Sequence, residues 1–145
     1  MADEIIPIDE VMTDLNSQWN ASNVTKPKLI TVNAANQPIR FDLNAGDHLV
    51  ARTGTPAFQE EPIGNWKYGN RTYSIEIELF TLSNRQRLYN LMQEVRRITH
   101  NRMHSLTNFQ RQQFMDFNEE TSAQVNMWTG KIQIQLVNNA VLLDT

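Results

Sequence analysis

Two stretches of alternation constrain this chain more than any other feature of it. From Arg71 to Thr81, Tyr73, Ile75, Ile77 and Leu79 fall on one side of an extended backbone, and Thr72, Ser74, Glu76 and Glu78 on the other. Met127 to Val137 repeats the pattern, with Trp128, Ile132, Ile134 and Leu136 opposed to Thr129, Lys131, Gln133 and Gln135, and with Gly130 as a candidate bulge. A strand that is apolar on one side only belongs to a sheet covered on one face. This favours an antiparallel sheet over a doubly wound parallel one, whose strands read as continuous apolar runs.

The covering layer is supplied by two amphipathic segments. Pro7 precedes Ile8, Val11, Met12, Leu15 and Trp19, with Asp9 and Glu10 at the positive end of the helix dipole, so residues 8–20 read as a helix. Ser83 and Gln86 form a capping-box signature ahead of Leu88, Leu91, Met92, Val95 and Ile98, a second helix ending near Asn101. Its solvated face is expected to carry Arg85, Arg87, Gln93, Glu94, Arg96 and Arg97. Two further strands are expected, His48 to Thr53 and Phe114 to Thr121, the latter with Met115 and Phe117 on one face; Asn108 to Gln113 reads as a short helical piece. The result is an α+β fold in which a four-stranded, mainly antiparallel sheet carries two helices on one face, in the order α-β-β-α-β-β. It has a long β-β loop and extended arms.

A length of 145 residues with 40% hydrophobic and 20% charged side chains suits one folded domain spanning 1–145. Within it, 20–46 reads as a connector or arm with one strand-like piece at Leu29 to Val32, and 138–145 as an apolar C-terminal tail. The segment 54–70 reads as a long interaction loop, because Pro56, Pro62 and three glycines interrupt it and it far exceeds an ordinary hairpin turn. The acidic start Met1-Ala2-Asp3-Glu4 is unlike a secretory signal, and no apolar run approaches the roughly 18 residues of a membrane span.

Little in the chain suggests chemistry. It has no cysteine, which removes disulfides, thiol nucleophiles and thiolate metal clusters. His100 and His104 are four apart but stand where the second helix should end, with no carboxylate between them, so solvated residues are the better reading. Glu60-Glu61, Glu76 with Glu78, and Glu119-Glu120 are carboxylate pairs on a loop or on the wet side of strands. No serine sits in a Gly-x-Ser-x-Gly turn, and the glycines are too scattered to cradle a phosphate. The chain is therefore expected not to be an enzyme and to carry no cofactor and no metal.

Two features suit a partner. Arg85, Arg87, Arg96, Arg97, Arg102 and Arg111 form a candidate basic stripe. Against DNA binding stand the net charge of −3, the different azimuths of Arg96 and Arg97, and Glu94 in reach of Arg97; Arg85 or Arg87 meeting acids of another subunit is a further option. Phe58, Ile63, Trp66 and Tyr68 place large apolar groups in a polar loop, which either folds back over the sheet or docks on a partner.

The stretch from Glu60 to Tyr68, the strand from Tyr73 to Leu79, the helix from Ser83 to Ile98 and the closing strand Met127 to Leu136 resemble the tail-terminator and head-tail joining proteins of tailed viruses. The resemblance covers about residues 46–137. It implies a virion protein, assembled in the host cytoplasm, whose copies close into a ring, typically a hexamer, at the head-proximal end of the tail tube. It also implies contacts with tail-tube and neck or connector proteins, passage of DNA through the ring without specific binding, and no membrane association. A head-closure protein and a nucleic-acid-binding adaptor remain alternatives. The expected subunit or partner interface comprises Phe58, Glu60, Glu61, Ile63, Trp66, Tyr68, Arg85 and Arg87. The 20–46 connector and the residues after Val137 depart from the family pattern.

Overall fold

The computed structural model describes residues 6–31, 46–64, 67–120 and 127–142. In chain order the elements are α1 (Pro7–Gln18), β1 (Lys28–Thr31), β2 (His48–Ile63), β3 (Tyr68–Thr81), α2 (Arg85–Asn101), β4 (Arg111–Glu119) and β5 (Trp128–Leu142). The strands form one five-stranded mixed sheet in the order β1-β2-β3-β5-β4. β1 runs parallel to β2, and every other neighbour is antiparallel.

This overturns the expected four-stranded, mainly antiparallel sheet in the order α-β-β-α-β-β. The strand-like piece inside the connector is a full sheet member, pairing Lys28 with His48 through Thr31 with Ala51. A strand of four residues offers two side chains per face, too few for alternation to announce it. Most of the remaining connector, residues 32–45, lies outside the described residues.

The core follows from parity. Leu49, Ala51, Ile75, Ile77, Leu79, Ile132, Ile134 and Leu136 share one face and join Ile8, Val11, Met12 and Leu15 of α1 and Leu88, Leu91, Met92, Val95 and Ile98 of α2 in one hydrophobic cluster. Most of these strand and α2 positions are fully buried, each contributing roughly 1.5–3 kcal/mol by removal from water. α2 starts one residue later than expected: Asn84, not Ser83, is the N-cap, and its side-chain oxygen accepts from the Arg87 backbone N–H at 2.8 Å. Asn108 to Gln110 form no helix, and Arg111 to Gln113 already belong to β4.

Two details of β4 and β5 correct the expected faces. A register shift between Phe114 and Asp116 adds one residue to β4, so Phe114 opposes Ile134 and Phe117 opposes Ile132. Both aromatic rings therefore pack on the core and Met115 is left exposed, whereas simple alternation had put Met115 beside Phe117. Gly130 is not a bulge; it pairs in register with Leu79 and Glu119. Its lack of a side chain makes room for Phe117, whose ring would lie 2.4 Å from an added Cβ.

The expected interaction loop at 54–70 is also corrected. After a register shift between Thr53 and Phe58, β2 and β3 resume pairing from Phe58 with Tyr73 to Ile63 with Tyr68, closing through residues 64–67. Gly64 has φ 65°, a left-handed conformation that glycine adopts without strain. The two prolines had argued against a strand, because proline cannot donate to a ladder. β1 pairs only with His48 to Ala51, so beyond that point β2 is an edge strand, where proline is tolerated. The residues 138–142, expected as a tail, extend β5 along β3, pairing Asn138 with Arg71, Val141 with Gly69 and Leu142 with Tyr68.

Candidate assembly interface

β2, β3 and β5 run past the helical layer. On the β2 side, every residue from Thr55 to Ile63 is exposed, in contrast to His48 to Ala51 at the other end of the same strand. This overhang is a three-stranded ribbon of Phe58 to Ile63, Tyr68 to Tyr73 and Leu136 to Leu142. Its backbone polar groups are met within the ladder, so it stands without a core of its own.

Its root is anchored by aromatic packing. Phe58 lies 5.1 Å from Tyr73, and Tyr73 meets Phe109 edge-on at 5.3 Å. Phe58 nonetheless remains 45% exposed. Beyond it Glu60 pairs with Arg71 at 3.1 Å, while Glu61, opposite Asn70, is exposed. At the tip, Ile63, Tyr68 and Leu142 form one cross-strand row, with Ile63 48% and Tyr68 50% exposed. An apolar row at the far end of a ribbon adds little to folding and is suited to contact with another molecule. Trp66 lies outside the described residues.

The β5 side of the ribbon is fixed by a polar bulge that the sequence reading missed. Asn138 and Asn139 exchange hydrogen bonds with Gln110, whose backbone N–H reaches Asn138 Oδ1 at 2.7 Å and whose Oε1 accepts from the Asn139 N–H at 2.8 Å. Ala140 takes φ 54° and donates its N–H to Asn70 Oδ1 at 3.0 Å. The Asn-Asn pair was a turn signal, obscured by the apolar residues that follow it.

Arg85 and Arg87 stand at the opposite end of the sheet, on the first turn of α2, and the fold does not bring them to the ribbon. Arg85 pairs with Glu119 at 3.0 Å and lies 5.1 Å over the Trp128 ring. Arg87 donates to Asp47 at 2.5 Å and to the Thr25 carbonyl at 3.1 Å. With Lys26, Pro27, Lys28 and Asp47 it lines a cleft of about 410 Å³ beside the start of β2.

Glu94, expected on the solvated face, is buried. Its carboxylate accepts from the Asn20 backbone N–H at 2.7 Å, from Asn23 Nδ2 at 3.0 Å and from the Arg97 guanidinium at 2.6 and 2.9 Å. Burial acts to raise its pKa, but the hydrogen bonds from Arg97, Asn20 and Asn23 outweigh it and hold the carboxyl below the usual range. Glu78, on the sheet face away from the helices, shows the reverse balance. Desolvation pushes it up, against the pull of Arg52 at 3.0 Å and of Lys131.

The other candidate groups are dispersed. His104 Nδ1 lies 3.2 Å from the Gln110 carbonyl, in the loop after α2, so the helical spacing between His100 and His104 is not kept. Among the described residues, no group of three metal-ligating side chains converges. Nor is any of their helices long and apolar enough to cross a membrane.

No protein-family model and no curated protein matches the sequence. The chain is similar in structure to a chain in the virion of a native gene transfer agent (GTA) particle, with a TM-score of 0.60 and 10% sequence identity, covering 88% of this chain and 90% of that one. At that identity the likeness establishes a shared fold over nearly the whole length of both chains.

Proposed function

We propose that the chain is a non-enzymatic structural protein of a tailed-virus-like particle, a tail terminator whose copies form a ring, expected to be hexameric, at the head-proximal end of the tail tube. It assembles in the host cytoplasm, contacts tail-tube and neck proteins, and lets DNA pass without specific binding. The observation that carries this reading is the ribbon beyond the helical layer, ending in the exposed row at Ile63 and Tyr68. A ring subunit needs two different surfaces that meet head to tail, and a rigid projecting ribbon supplies one. The fold shared with a GTA virion chain and the tail-terminator resemblance of the sequence support the same class.

The arginine pairings weigh against the nucleic-acid adaptor. Arg71, Arg85, Arg87, Arg97 and Arg102 each hold a carboxylate, of Glu60, Glu119, Asp47, Glu94 and Asp14. A neutralised stripe releases few counterions on meeting DNA. Imaging particles that lack the chain tests the proposal: tails of uncontrolled length support a terminator, while full heads beside finished tails identify a head-closure protein. Intact, normal particles would refute both.

A further inference from the structure

We infer that the tip of the β2–β3 ribbon of one copy docks, through Glu61, into the Lys26–Lys28 cleft at the base of β2 of a second copy. This contact rests on the ring reading and names its two complementary surfaces. The tip presents the exposed Glu61 beside the apolar pair Ile63 and Tyr68. The cleft presents the exposed Lys26 and Lys28 around the buried Pro27. Arg87 also lines it but is already joined to Asp47, so the two lysines give the cleft its positive balance. An acidic, apolar tip and a basic cleft with a proline in its wall are complementary in charge, which favours this register over cleft against cleft or tip against tip.

The contact has to form between molecules. Cleft and tip lie at opposite ends of β2, whose 16 residues span about 50 Å at the rise of an extended strand. Pairing with β3 on both sides of the register shift keeps that strand from folding back on itself. Two different surfaces at opposite ends of one element make a head-to-tail contact, which repeats around a closed ring.

The test uses the full chain and light-scattering mass at matched concentrations for the unsubstituted protein, Glu61→Lys, Lys28→Glu and the double reversal, with circular dichroism melts verifying that each is folded. Each single reversal is expected to weaken association about tenfold and the double reversal to restore it, with the unsubstituted contact weakening as salt rises. Folded single reversals that assemble as fully as the unsubstituted chain overturn this contact and leave the ring reading standing. An unsubstituted chain that stays monomeric at every concentration, and on added tail tubes, overturns the ring reading and this contact with it.

Discussion

The two ends of the β2–β3 ladder share one backbone design and differ in what covers them. At the base, Leu49, Ile75, Ile77 and Leu79 lie under two helices and are inaccessible to water; at the tip, Ile63 and Tyr68 are half exposed. Antiparallel pairing satisfies the backbone in both places, so a ladder extends beyond its core as long as neighbouring strands supply partners. The difference teaches that apolar residues serve two ends in one element. Those at the base hold the fold together, and those at the tip remain available for another molecule.

The comparison breaks first at the base. Ile77→Ala should lower unfolding stability by about 2–5 kcal/mol in a denaturant titration, since the site is closely packed from both helices. A loss near zero would mean that the helical layer does not define the core.

Glu94→Ala comes next, with an expected loss of about 2–3 kcal/mol as hydrogen bonds to a buried charge disappear and the α1–β1 connection is released. Its pH signature follows from the lowered carboxyl pKa. The stabilisation is present above the unfolded-state value and is lost as pH falls through the folded one. The difference in stability between Glu94→Gln and the unsubstituted protein should therefore shrink in acid. Glu78 works in the opposite sense: its raised pKa costs stability at neutral pH, and protonation relieves that cost as pH falls through the folded value. Glu78→Gln should consequently flatten the acid side of the stability profile.

Ala140→Gly sharpens the comparison within the ribbon. Removing the Cβ from a left-handed residue should stabilise the protein by about 1 kcal/mol, read as a rise in the denaturation midpoint. The smallest effect on folding is expected at the tip. Ile63→Ser with Tyr68→Ser should change stability by less than about 0.5 kcal/mol while weakening self-association measured by sedimentation. If the pair unfolds the chain, the tip is part of the folding unit and the contrast between the two ends fails.

The ribbon itself was hidden from sequence reading by its own edge. Pro56 and Pro62 removed the period-two signal and suggested a loop, but the partner strand of β2 had ended at Ala51, where a missing N–H donor no longer matters. Phe114 and Phe117 misled for a related reason, since one inserted residue changes the face of everything after it. Glu94 read as solvated because its polarity fits a wet helix face; its partners Asn20 and Asn23 lie more than 70 residues away in the chain. Of the expected interface, Phe58, Glu60, Glu61, Ile63 and Tyr68 do share the ribbon, whereas Arg85 and Arg87 are drawn into pairs at the far end of the sheet.

Local pattern alone determined the buried stripes of both helices and the inward faces of β3 and β5, because a side chain's direction follows from the 3.6- and 2-residue periods of the backbone. Only the tertiary structure decided that β1 joins the sheet, how far β2 and β3 extend, and which charges are paired. Each of those outcomes depends on which distant segment lies alongside, and spacing within a segment carries no information about its neighbours.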